Sequence, residues 1–185
     1  MDLLKVIHER RSVRRYRREA VPEEILVEIL DAARFSPSWS NTQTWRFIVV
    51  KDQEIKEKLQ AALRPNNPAL DTFVETPLLI CVVAQRGVSG FHKRQPATDK
   101  GDWFMFDAAL AMENLVLAAW NFGLGTCHVG AFDAAKVEEI LEVPAGYSIV
   151  EITPLGYFDG VPSVTPRKPL KEIVFADHFG EPYIT

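Results

Sequence analysis

The chain has only two cysteines, Cys81 and Cys127, in 185 residues. Two thiols cannot build a disulfide framework, and no Cys/His group has the spacing of a metal site. No apolar run approaches the ~18 residues that a membrane-spanning helix needs. No G-x-G-x-x-G follows a strand pattern, there is no P-loop, and Gly123-Leu124-Gly125 is too short for a dinucleotide fingerprint. Repeats and low-complexity tracts are missing as well. The start, Met1–Arg11, is charged and amphipathic and lacks the apolar core of a signal peptide, so secretion is not expected and a reducing cytoplasm fits best. Excess positive charge is also lacking: 21 Lys and Arg stand against 25 Asp and Glu, a net charge of −4. That balance argues against a general binder of nucleic acid or anionic membrane.

What is present is the make-up of an ordinary globular domain, with 47% hydrophobic and 25% charged residues, enough apolar side chain to offset ordering entropy. The length predicts one domain over 1–185. Leu3, Leu4 and Ile7 share one side of a short helix. Pro22, Glu23 and Glu24 open a second, whose buried stripe is Ile25, Leu26, Ile29, Leu30 and Ala33 and which must stop by Pro37. Trp45–Val50 reads as a buried strand, and Asp52 caps a third helix. Pro77–Ala84 is a continuous apolar run of strand length, which places it centrally in a sheet. Gln85–Asp102 reads as a structureless polar lid, with Lys93, Arg94 and Lys100 as its cations. Trp103–Phe122 is apolar nearly all round and predicts a buried central helix ending at Gly123. Asp133 caps a short helix to Leu141, and Tyr147–Phe158 reads as a strand interrupted at Pro154. The proline-rich tail from Gly160 carries Ile173, Val174 and Phe175 and should pack on something. Without strict βαβ alternation the class is α+β.

Four segments could carry chemistry. Six arginines, Arg10, Arg11, Arg14, Arg15, Arg17 and Arg18, fall between residues 10 and 18. Guanidinium forks match phosphate oxygens, although a solvated face pairing with glutamates uses the same residues. Pro37–Trp45 sets the amides and hydroxyls of Ser38, Asn41, Thr42 and Gln43 among Trp39 and Trp45. Such a turn suits a planar heterocycle with a hydrogen-bonding edge, and equally an ordinary loop anchored by one Trp. Gly123–Phe132 is a glycine-flanked stretch that lets backbone approach a flat ligand. Its neighbours Cys127 and His128 would point to opposite faces of an extended chain, which disfavours a thiol–imidazole dyad. Arg167 and Lys168, between prolines, form a stiff basic pair.

Taken in this order, Arg-Arg-Ser-x-Arg at 10–14, Pro-Ser-x-x-Asn-x-Gln-x-Trp at 37–45, Gly-Leu-Gly-Thr-Cys at 123–127 and the late basic pair resemble the nitroreductase family of FMN-dependent oxidoreductases over roughly residues 3 to 175. The resemblance implies that Arg10, Ser12 and Arg14 meet the flavin phosphate and ribityl chain, with Arg11 in a variable basic position. Pro37, Ser38 and Trp39 would reach the flavin of a partner subunit, followed by the polar Asn41 and Gln43. Val129 and Gly130, led into by Thr126, Cys127 and His128, would face the redox edge of the ring, Asn67 its pyrimidine, and Arg167 and Lys168 the phosphate. Thr44 stands where many members have proline, and the chain lacks the extra helical excursion of larger members.

The implied fold is a three-layer sandwich, a central mainly antiparallel sheet of four or five strands flanked by helices. It would form an intertwined homodimer with FMN at the subunit interface and the 160–185 tail on the partner. The implied activity is reduction of a nitroaromatic, quinone or related small acceptor by NAD(P)H in a ping-pong scheme, with the chemistry on FMN and no catalytic side chain. Trp39, Trp103 and Phe104 would wall the substrate pocket. Two alternatives stay open at this point: a flavoprotein of the same fold with another reaction, such as reductive dehalogenation or dehydrogenation of a biosynthetic intermediate, and a non-enzymatic nucleic-acid module using the basic N-terminus.

Overall fold

The computed structural model describes residues 2–160 and 162–183. Six helices, α1 (Leu3–Glu9), α2 (Glu23–Arg34), α3 (Gln53–Ala61), α4 (Thr72–Glu75), α5 (Phe104–Asn121) and α6 (Ala134–Ile140), accompany six strands, β1 (Trp45–Val50), β2 (Leu78–Gln85), β3 (Phe91–His92), β4 (Gln95–Pro96), β5 (Gly125–Thr126) and β6 (Tyr147–Gly156). The main sheet has the order β1-β2-β6-β5 with every strand pair antiparallel.

Side-chain alternation along β2 builds the three layers. Leu78, Ile80, Val82 and Ala84 pack into one core with Leu26, Ile29 and Ala33 of α2 and Ala108, Met112 and Leu115 of α5. Leu79, Cys81 and Val83 face a second core with Leu59 of α3, Phe73 of α4 and Val137 of α6. A strand buried on both faces must be apolar throughout, which is why Leu78–Ala84 shows no period-two pattern. The caps fall where expected: Asp52 accepts from Ile55 N at 2.9 Å and Asp133 from Lys136 N at 3.2 Å, each satisfying a donor of a helix's first turn.

Three expectations need correction. β1 is an edge strand and is only half-buried along its middle. The lid is not structureless: β3 and β4 form a hairpin within it, pairing Phe91 with Pro96 and His92 with Gln95. β6 runs unbroken through Pro154. Ile152 N donates to Val129 O, on the β5 side; two residues on, Pro154 faces the same side, so its missing N–H costs the β2 ladder nothing. In the single chain Phe175 and Phe179 of the tail lie 4.7 Å apart between ring centroids, and Ile173 is 55% and Phe179 93% exposed. Among the described residues no helix is long and apolar enough to cross a membrane.

Candidate active site

On leaving α1 the chain runs extended beside β5: Val13 N donates to Thr126 O at 2.8 Å, and Ser12 bridges Thr126 in parallel. Gly125 permits this approach, since a Cβ there would stand 2.7 Å from the Val13 side chain. Val13 is buried; by period-two alternation Ser12 and Arg14 turn to the opposite, open side. There Arg14 lines a cleft of about 340 Å³. Cys127–Ala131 form one wall of the cleft, and Arg64 with Asn66–Ala69 the other. The walls are laced together by Arg64 N to Ala131 O at 3.3 Å and by Asn67 Nδ2 to the same carbonyl at 3.3 Å. Asn67 Oδ1 accepts from Ala69 N, which fixes the amide. A Cβ at Gly130 would meet nothing within 4 Å, so this part of the wall is bare backbone facing open space.

Arg14 brings a guanidinium to the cleft, and Arg10 and Arg11 precede it on the same segment. Among the described residues no carboxylate pairs with Arg10, Arg11 or Arg14. Arg10 Nη1 and Arg11 Nε are buried without a partner, an arrangement that is costly unless an acceptor arrives. Arg11 itself is turned back on α1, its Nη1 donating to the carbonyls of His8 and Arg10 at 2.6 and 2.7 Å, so it caps the helix end. His128 Nδ1 lies 2.8 Å from Glu151 Oε1. That hydrogen bond raises the His128 pKa, partly offset by burial. The Cys127 thiol pKa is held up by burial despite Arg14 and the Ser12 hydroxyl, and its Sγ meets the His128 carbonyl at 3.9 Å. A thiolate–imidazole nucleophile is therefore not built here.

The second polar motif lies elsewhere. The 37–45 loop feeds β1, at the sheet edge opposite β5, and three strand spacings put the two edges about 14 Å apart. Ser38 Oγ accepts Gln43 N at 3.0 Å, and Gln43 Nε2 reaches Asn41 O at 3.4 Å. Pro37 and Asn41 are exposed. The Trp39 ring meets Trp103 at 5.4 Å, and Trp103 meets Phe106 edge-on at 5.3 Å. Phe104 turns instead to the α2/α5 core, because two residues along a helix point to nearly opposite sides. Arg167 and Lys168 stand exposed in the tail, Arg167 bonded only to Thr165 O, and neither lines the cleft.

Sequence reasoning named only Asn67 of the Arg64–Ala69 wall and missed the rest of it, Glu151 and Asp107. The first had a signal, a polar stretch bounded by Pro65 and Pro68 between helix and strand. Asp107 had one too, as an acid inside an otherwise apolar helix.

A two-faced antiparallel sheet with a glycine-edged basic cleft on its β5 side defines the class. The nitroreductase family matches residues 7–72 and 64–157, and the chain belongs to that family. It is similar to an NADH dehydrogenase of Thermus thermophilus, 32% identical over 188 residues and covering 89% of this chain and 91% of the relative. Among solved structures it resembles a nitroreductase family protein of Clostridium novyi NT, with 31% identity, a TM-score of 0.76 and coverage of 99% and 97%. It also resembles an oxidoreductase containing FMN, with 25% identity, a TM-score of 0.77 and coverage of 95% and 92%.

Proposed function

We propose that the cleft beside β5 holds FMN and that the protein is an FMN-dependent oxidoreductase oxidising a reduced nicotinamide nucleotide and reducing a small nitroaromatic or quinone-like acceptor. The observation that carries this reading is the partnerless buried Nη1 of Arg10 together with Arg14, which lines the cleft opposite the bare backbone wall at Gly130. An anionic, flat ligand fits both, and the volume lies within the range of small-molecule sites. Bound FMN supplies hydride and electron transfer, which no side chain of this cleft provides. Arg10 and Arg14 would hold its phosphate, with Ser12 beside them. Asn67 offers an amide edge, and the Val129–Gly130 backbone would form the wall against which the ring is held. Glu151 keeps His128 in place at the wall.

The site would be completed by a second copy. Trp39, Asn41 and Gln43 sit at the far sheet edge, so one chain cannot wrap both motifs round one ligand, whereas a dimer can. Exposed Leu3, Leu4, Ile7 and Phe35 beside α5 supply the apolar surface such an interface needs. In this reading residues 1–185 form one FMN-binding domain whose 160–185 tail, with Arg167 and Lys168, crosses to the partner. The test is the absorbance spectrum of the purified protein and its anaerobic bleaching by NADH or NADPH. Colourless protein that takes up no FMN would overturn the assignment.

A further inference from the structure

The turn joining β3 to β4 consists of Lys93 and Arg94, with φ of 47° and 67°. Two central residues at positive φ mark a type I′ hairpin, a turn that favours Asn-Gly, Asp-Gly or Gly-Gly. Here both positions carry long cationic side chains, so the backbone bears steric strain twice to present charge.

The hairpin is seated firmly. Ala97 N donates to Gly90 O at 2.7 Å, Trp103 N to Ser89 O at 3.0 Å and Trp103 Nε1 to Thr98 Oγ1 at 3.2 Å. The Gly90 backbone presses on the Trp103 indole so closely that a Cβ would stand 2.5 Å from it. The base therefore rests on the Trp39–Trp103–Phe106 group, and the tip projects from a fixed platform. Its charge is uncompensated. His92, Lys93, Arg94 and Lys100 are exposed, and among the described residues none forms an ion pair. Of the nearby acids, Asp102 is engaged by Gly87 N and Phe104 N, which leaves only the exposed Asp99. On a chain of net charge −4 this is a local positive point.

We propose that the Lys93–Arg94 tip is the docking element for the phosphate groups of the nicotinamide donor. This rests on the function proposed above, in which the donor is the exchanging substrate that carries phosphate and the acceptor a neutral aromatic. A guanidinium fork beside an ammonium group suits a phosphate. The tip is borne by the aromatic group that includes Trp39, the residue taken to reach the partner's flavin.

The experiment uses the flavin-loaded enzyme and the double variant Lys93→Asn/Arg94→Gly. Those residues favour the turn, so the variant keeps its flavin and melts at a higher temperature than the parent. Each half-reaction is followed separately, with NADPH and with NADH, over a range of salt concentrations. The KM for donor should rise about tenfold, the worth of one charge-assisted contact, and lose most of its salt dependence, while the KM for acceptor stays put. A second variant, Lys93→Gln/Arg94→Gln, removes the charge and keeps the strain, and should behave alike. A rise with NADPH alone places the 2′-phosphate at the tip; a rise with both donors places the pyrophosphate there. Unchanged donor KM in both variants, or an effect confined to the acceptor, overturns the proposal while leaving the flavin assignment intact. A parent enzyme that takes up no FMN overturns the functional reading first, and this proposal with it.

Discussion

The carboxylate of Asp107, in the first turn of α5, accepts the backbone N–H of Trp39 at 3.0 Å and the hydroxyl of Thr42 at 3.3 Å. Between and just beyond these contacts Ser40, Asn41 and Gln43 sit at φ of 45°, 59° and 47°. Left-handed backbone costs a non-glycine residue roughly 1–2 kcal/mol, so the loop keeps this shape only because its ends are tied. Asp107 is fully buried, so its removal would also strand the Trp39 donor.

Asp107→Ala should therefore destabilise the protein by about 3–6 kcal/mol, the net worth of two charge-assisted hydrogen bonds. Asp107→Asn, which keeps an acceptor oxygen for Trp39, should lose far less. Denaturant unfolding with quencher access to the Trp39 indole as a second signal checks both. Equal losses in the two variants would mean that an acceptor oxygen toward Trp39 is not enough to hold the loop, and negligible losses in both that the tie is unimportant.

Arg14 lines the cleft without a carboxylate partner, so its replacement leaves the fold alone and acts on the ligand. Arg14→Ala should weaken FMN binding by ten- to a hundredfold, or about 1.5–3 kcal/mol. Titration of apo-protein by flavin fluorescence measures this; unchanged affinity would place the phosphate elsewhere.

Much of this was legible in the sequence because it is local. Trp45–Val50 and the Asp52 and Asp133 caps follow from side-chain pattern and capping chemistry alone. The failures share a cause: each depends on which elements become neighbours. Pro154 is tolerated only because its missing N–H faces the β5 side, which strand order decides. The β3–β4 turn was hidden because Lys93 and Arg94 are not turn formers, and the tertiary seat on Trp103 overrides their preference. Asn67 reaches the cleft wall because its loop is folded onto Ala131.

A groove of about 490 Å³ lined by Leu3, Val6, Ala32, Phe35 and Leu117 should be covered by a second copy. Phe35 is 72% exposed in the single chain, so Phe35→Asp spares the fold of one subunit. Sedimentation should find the parent dimeric at low concentration and the variant monomeric and depleted of flavin. A flavin-loaded monomer in either case would contradict a shared site.

The His128–Glu151 pair gives a pH signature. Glu151 raises the His128 pKa above its ordinary value of 6.5, so the ion pair stabilises the fold fully below pH 6.5. That contribution is lost as pH rises through the raised value. The melting temperature should fall over that interval, and Glu151→Gln should flatten the dependence. An NMR titration of the His128 ring, with a midpoint lowered in Glu151→Gln, identifies the group.

Two glycines separate fold from site. At Gly125 a methyl group would lie 2.7 Å from Val13 and 2.9 Å from Phe158 Cδ1. Val13 is the residue that pins the 10–14 segment to β5, and Phe158 is held by stacking on Trp120 at 5.5 Å, so relief of the clash would shift the arginine segment. Gly125→Ala should cost about 1–3 kcal/mol by overpacking and weaken FMN binding indirectly. At Gly130 a methyl group meets nothing within 4 Å, so Gly130→Ala should unfold like the parent. Its methyl would stand in the cleft where a flat ring must lie against backbone, and FMN affinity should fall at least tenfold with no loss of stability. Paired thermal melts and apo-protein titrations on the two variants read both quantities at once. If Gly130→Ala binds FMN as tightly as the parent, the ring does not lie against this wall, and the Asn66–Ala69 side of the cleft becomes the surface to probe.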